Sequence, residues 1–179
     1  MTALMKKPVV RQLFHQGSVE EVKKFLYDTP TFGINHVFNN EGLPALYLAC
    51  EYDRVDLISL ILAHPQIDVN QKNIDGVTPF LVCCHRNQLE IVKLLLKDSR
   101  VDINMTDDYN HTPLWYASSS GCLDVFKWVI ALRSEIDLDK KAVLNGVQLS
   151  PIEVAINEDK KEIVALLERF TENQSKNKI

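Results

Sequence analysis

The sequence predicts an all-α solenoid, a row of stacked helix pairs with short β-hairpins between them. Three observations carry this. A shift of 34 residues lays the chain on itself with residue types in register: Gly42 on Gly76 on Asn110, Leu46 on Phe80 on Leu114, Ala49 on Cys83 on Ala117. Thr-Pro recurs ahead of a short apolar stretch, at Thr78-Pro79 and Thr112-Pro113. A second apolar stretch follows each time after Asn87 or Gly121. Self-similarity at such a period marks a repeat architecture, in which one unit cannot bury its apolar face alone.

Each element has its reason. Thr is a good N-cap, and Pro in the first helical position lacks an N–H that would have had no helical partner. The first helix then spans Phe80 to His85, or Leu114 to Ser119. Asn87 or Gly121 turns the chain, and the second helix, Leu89 to Lys97 or Leu123 to Leu132, spaces its apolar residues for one buried stripe. An extended Asp-Val-Asn or Asp-Ile-Asn stretch, 68–70 or 102–104, leads into the next loop. Further matches keep the register. Leu57-Ile58 falls on Ile91-Val92 and Val125-Phe126, and Ile67-Asp68-Val69-Asn70 on Val101-Asp102-Ile103-Asn104. A shift of 38 then carries Leu114, Ala117, Val125 and Phe126 onto Ile152, Ala155, Ile163 and Val164. Gly17 to Leu26 resembles Asn87 to Leu96, so an edge unit precedes the first full one. The expected organisation is a single array over residues 1–170, with units at approximately 1–35, 36–70, 71–104, 105–139 and 140–170. A polar, frayed tail is expected over 171–179.

The run Gly76-Val77-Thr78-Pro79-Phe80, then Leu89-Glu90-Ile91-Val92-Lys93-Leu94-Leu95-Leu96, then Val101-Asp102-Ile103-Asn104, resembles the ankyrin-repeat family. The resemblance covers roughly Val10 to Phe170. It implies a non-catalytic module that binds a partner protein on a concave surface, built from the loop tips and the first helix of each unit. It also implies a histidine after Thr-Pro-Leu that ties neighbouring loops together, but here Tyr47, Leu81, Trp115 and Glu153 stand in that place. That network must therefore be weaker or different. Ser150-Pro151-Ile152-Glu153 offers a capping box instead. Pro44-Ala45 replaces Thr-Pro in the first full unit, and extra residues between Leu132 and Gln148 predict a longer or partly irregular fourth hairpin.

Residues not needed for caps, turns or stripe are free to serve binding. On the tips these are Glu41, Leu43, Ile74, Asp75, Val77, Asp108, Tyr109 and His111; on the helix ends, Glu51, Tyr52, His85, Arg86, Ser119 and Ser120. Hot spots favour Trp, Tyr and Arg, which singles out Tyr52, Arg86, Tyr109 and Trp115, supported by Glu51, His85, His111 and Asp75. The plainer reading packs Trp115 and Tyr47 against a neighbouring loop in place of the missing histidine. The resemblance further marks Asn70 and Asn104 for hydroxylation by an oxygen-sensing dioxygenase. The competing reading is that they bond loop backbone groups.

Other chemistry is thin. The formal net charge is -4, from 20 Lys+Arg against 24 Asp+Glu, which argues against a general nucleic-acid surface. There is no polybasic cluster, signal peptide or apolar span, so no membrane role is expected. The four cysteines, Cys50, Cys83, Cys84 and Cys122, lie in apolar surroundings and suit reduced thiols. Cys83-Cys84-His85 would need a positioned base to be nucleophilic, and Cys83 occupies the helix alanine's place. Scattered histidines give no metal spacing. The expectation is therefore a monomeric binding protein with no cofactor and an unknown protein partner, cytoplasmic or alternatively nuclear. Two alternatives stand beside it: a regulatory or inhibitory subunit of an enzyme or transcription factor, and a redox- or small-molecule sensor using the cysteines.

Overall fold

The computed structural model describes residues 7–28, 33–37, 43–131 and 136–176. Its helices fall into five pairs: α1 (Lys7–Gln16) with α2 (Val19–Asp28), α3 (Ala45–Glu51) with α4 (Val55–Leu62), α5 (Pro79–His85) with α6 (Leu89–Leu95), α7 (Pro113–Ser120) with α8 (Leu123–Ala131), and α9 (Pro151–Asn157) with α10 (Lys161–Lys176). The first helices α3, α5, α7 and α9 pack side by side in one row, and α4, α6, α8 and α10 form a second row on them. Pair α1–α2 closes the stack against α3 and α4.

The repeat seen in the sequence is repeated bond for bond in the backbone. The N–H groups of Arg54, Gln88, Cys122 and Lys160 donate to the carbonyls of Ala49, Cys83, Ala117 and Ala155 at 2.9, 3.0, 2.9 and 2.8 Å. Before each donor the chain turns through positive φ, at Asp53 (55°), Asn87 (58°), Gly121 (75°) and Asp159 (53°). Asp and Asn are the side chains that tolerate this region best. Ala49, Cys83, Ala117 and Ala155 are all fully buried, and their small side chains let neighbouring first helices approach closely. Leu57, Ile91, Val125 and Ile163 fill the equivalent core site in the second helices.

The caps explain where the helices begin. Thr78 Oγ1 accepts from the Leu81 N–H at 3.2 Å and Thr112 Oγ1 from the Trp115 N–H at 3.0 Å. Ser150 and Glu153 form a reciprocal capping box. Ser18 and Glu21 form the same reciprocal pair at the start of α2, which the Ser-x-x-Glu spacing would have shown. Pro44 begins α3 with no side-chain cap.

Two expectations need correction. The hairpins between pairs carry regular β-structure, among the described residues, only at the fourth junction, where β1 (Ala142–Leu144) pairs antiparallel with β2 (Val147–Leu149). Asn145-Gly146 makes its two-residue turn, with φ of 50° and 81°, the preferred chemistry for such hairpins. The earlier tips are held by side chains instead. Asn73 Oδ1 accepts the N–H groups of Asp75 and Val77, and Asp107 Oδ1 those of Tyr109 and His111. The second concerns the tail over 171–179, of which residues 177–179 lie outside the described residues. No glycine or proline interrupts the segment after Lys161, and α10 continues to Lys176.

One helix position differs between the last described pair and the pairs before it. Cys50, Cys84 and Ser118 are each fully buried between neighbouring pairs. Ile156, their equivalent in α9, is 60% exposed.

Candidate functional site

The tips and first-helix ends form the candidate surface. Ile74 and Tyr109, on adjacent tips, are 62% and 59% exposed, and Val147 extends the apolar row at the next hairpin. Asp75 and Asp108 lie beside them and are exposed. The tips are tied together, since the Asp108 N–H donates to Asp75 O at 3.3 Å and the Val143 N–H to Tyr109 O at 3.2 Å.

The helix ends are linked in the same direction. Glu51 lies 3.7 Å from Arg11 and 3.8 Å from Arg86, so one carboxylate faces two guanidinium groups. Tyr52 packs its ring on His15, with centroids 5.0 Å apart. His85 Nδ1 lies 2.8 Å from Ser120 Oγ, and its ring stands edge-on to Tyr116. Burial, then the neighbouring Arg86 charge, lowers the His85 pKa. Among the described residues no carboxylate holds its other ring nitrogen, so the Ser120–His85 pair lacks the third member that a nucleophilic site requires.

The structure sorts the sequence candidates. Ile74, Asp75, Asp108 and Tyr109 share the tip surface, while His85 and Arg86 are exposed on α5 and its end. Glu51, Tyr52, Val77, Ser119 and Ser120 are partly covered. Glu41 lies outside the described residues. Leu43 is 2% exposed and belongs to the core, not the tip. Trp115 must also be removed from the binding surface. It is 3% exposed, and its Nε1 donates to Leu149 O at 2.9 Å, so it packs under β2 as the plainer reading proposed.

The missing histidine has a replacement in His111, which the sequence marks only as a tip residue for binding. His111, four residues before Trp115, packs against that indole with centroids 4.0 Å apart and the rings tilted by 40°. Its Nδ1 meets Asp107 Oδ2 at 2.6 Å and its Nε2 meets Val143 O at 3.0 Å, so it bridges the third tip and the fourth hairpin. Both contacts are with acceptors; a neutral ring can donate to one of them and an imidazolium to both. Tyr116 donates its hydroxyl to Asp107 Oδ2 at 2.8 Å. Burial disfavours the Asp107 carboxylate, but the bonds from His111 and Tyr116 outweigh it and hold its pKa below the usual range. Burial, followed by the bond to Asp107, raises the Tyr116 phenol, while burial followed by the Glu51 charge pushes Tyr47 up to about 12.

Asn70 works between units. Its Nδ2 donates to Arg100 O at 2.7 Å and its Oδ1 accepts from the Asp102 N–H at 2.9 Å. Asn35 makes the same two bonds to Gln66 O and the Asp68 N–H. The Asn104 N–H donates to Asp102 Oδ1 at 2.9 Å.

All four cysteines are buried and free. Burial raises the Cys83 and Cys84 thiols far above their ordinary value, with the Cys83–Cys50 hydrogen bond acting in the same direction. A disulfide reagent should therefore find no reactive thiol in the native chain and four after denaturation; thiol titration with and without denaturant checks this. Rapid reaction of even one in the native state would revive the redox reading.

Among the described residues no group of three His, Cys, Asp or Glu side chains is placed to hold a metal ion, and no helix is long and apolar enough to cross a membrane. The architecture is that of a stacked-repeat protein. Family models agree. Ankyrin repeats in three copies match residues 65–142, and an ankyrin-repeat model matches 41–71. The two matches together span residues 41–142, more than half the chain, and the protein belongs to the ankyrin-repeat family. No curated protein matches the chain. Repeats of this family generally mediate protein–protein interactions, and their domains are typically non-catalytic.

Proposed function

We propose that this chain is a monomeric recognition module that binds a partner protein across its tips and first-helix ends, without catalysis, cofactor or nucleic acid. The observation that carries this reading is the tip row. Ile74, Tyr109 and Val147 hold apolar side chains in water at successive junctions, although the fold does not need them there. Exposed aromatic and apolar anchors beside polar groups are the usual composition of a binding hot spot. Asp75 and Asp108 flank the anchors and favour a neutral or basic partner segment, while Arg86 and Glu51 give a mixed-charge border that would fix its direction.

A regulatory or inhibitory readout would use the same contact, and adding the module to a reconstituted target would separate it from simple docking.

The test is retention of partners from lysate of the source cell by the native chain and by a triple variant, Ile74→Ala, Arg86→Ala and Tyr109→Ala. All three side chains are substantially exposed, so the variant should melt within a few degrees of the native chain. A protein held by the native chain should be lost, or weakened by about a hundredfold, in the variant. Equal retention by both would place the site elsewhere.

A further inference from the structure

The second-helix row carries a groove on the opposite side of the stack from the first-helix row. It has a volume of about 620 Å³ and is lined by Val55 of α4, Glu90, Lys93 and Leu94 of α6, Lys97 just beyond it, and Trp128 of α8. Trp128 is 47% exposed. The array provides its own control for this residue. Leu60, Leu94 and Leu166 stand at the equivalent places in α4, α6 and α10, and each is partly buried against the core. Leucine therefore suffices for packing there, and indole at 128 adds exposed aromatic surface that the fold does not use. Lys93 Nζ lies 5.4 Å from the centre of that ring.

The charge around the groove is the reverse of the chain's. The chain carries a net charge of -4, whereas the groove holds two lysines against one glutamate. Lys93 pairs with Glu90 at 2.8 Å, and on α8 Lys127, which faces away from the groove toward Leu166 and Phe170, pairs with Asp124 at 3.5 Å. Both acids are about two-thirds exposed, so these are weak, exchangeable pairs. Lys97 is exposed and has no ion-pair partner among the described residues. Neighbouring helices stand about 10 Å apart, so a segment crossing from α4 to α8 spans about 20 Å, or roughly six extended residues.

We propose that this outer groove is a docking site for a short acidic segment of a partner protein, with an apolar side chain seated on Trp128 and carboxylates met by Lys97 and Lys93. The site is independent of the tip surface. An anionic membrane would need a denser basic patch, since such recognition takes about four to eight Lys or Arg in a cluster.

The test uses the whole chain and a labelled peptide of alternating Asp-Glu and Leu-Phe pairs, about seven residues long, read by anisotropy and by tryptophan emission. Trp115 is buried, so a change in emission reports mainly on Trp128. We expect saturable binding that weakens as salt rises. It should fall by about thirtyfold in Trp128→Leu, which installs the residue that the array uses at the equivalent sites. Lys97→Glu, an exposed change, should weaken binding by about fivefold and flatten the salt dependence. No saturable binding at millimolar peptide would overturn the proposal. So would equal binding by the same peptide with Lys in place of its acids, or unchanged affinity in both variants. An emission shift with phosphatidylserine-containing vesicles but not with the peptide would replace it by a membrane contact. Because Ile74, Arg86 and Tyr109 lie on the other surface, the triple variant should bind this peptide normally even if the tip reading fails.

Discussion

Asp107→Ala should destabilise the chain by about 3 kcal/mol, measured by chemical denaturation. Asp107 is 5% exposed and its two oxygens accept four hydrogen bonds: from the N–H groups of Tyr109 and His111, from His111 Nδ1 and from the Tyr116 hydroxyl. Truncation leaves these donors without an acceptor in a site that water reaches poorly. The loss of an exposed tip bond would cost far less, so a change below about 1 kcal/mol would show that the network is dispensable. Asp107→Asn separates the two halves of the site. Asn73 already holds the equivalent place one unit earlier and accepts the Asp75 and Val77 N–H groups with its Oδ1. An asparagine at 107 can keep that half but would present an amide NH₂ to His111 and Tyr116. We expect a cost of about 1–2 kcal/mol.

The same carboxylate gives stability a pH dependence of known sign. Its folded pKa lies below its unfolded value. Its contribution is therefore fully present above the unfolded pKa of about 4, and is lost as pH falls through the folded pKa. Denaturation curves of the native chain against Asp107→Asn should converge as the pH falls below about 4. Parallel curves would assign the acid sensitivity to other groups.

The second large effect is expected at Gly76. Its φ is +77°, and a Cβ there would overlap Asp108 Oδ1 and lie 2.7 Å from Asp108 N. The side-chain oxygen could swing away, but the backbone nitrogen is fixed by its bond to Asp75 O. Left-handed backbone alone costs a non-glycine residue about 1–2 kcal/mol. With the backbone overlap added, Gly76→Ala should lose about 3 kcal/mol and lower the melting temperature by about 6–12 °C. Gly146 has a similar φ of +81°, but a Cβ there would meet nothing within 4 Å. Gly146→Ala should then cost only about 1–2 kcal/mol. Equal losses at both glycines would mean that the Asp108 approach is relaxed in solution.

The stack was legible because repetition averages out local ambiguity. Ala49, Cys83, Ala117 and Ala155 could each be a helix or a loop residue taken alone; in register they mark one buried site, and the structure buries all four. The exposure of Ile74 and Tyr109 was legible for a related reason: they sit where neither cap nor stripe needs them. Trp115 was misplaced because its residue type says hot spot, while its burial depends on β2, which reaches it from 34 residues away. His111 was read as a tip residue for binding, and its bridging role was missed because of the same long reach. Its partner Val143 lies in an inserted stretch that breaks the repeat, and no periodic rule extends across an insertion. Trp128 was passed over because it falls within the apolar stripe of α8, and only the neighbouring units show that leucine would have filled the place.

The open face at Ile156 makes the length of this array an editable quantity. Each interior pair is covered on two sides, and α9–α10 on one. In a one-dimensional stack the folding of a unit depends on its own stability plus the interface with each neighbour. The last described pair therefore has one coupling where α3–α4, α5–α6 and α7–α8 have two. A further unit joined in register would turn Ile156 from an exposed side chain into an interface residue, as Cys50, Cys84 and Ser118 already are, and would leave the rest of the molecule as it stands.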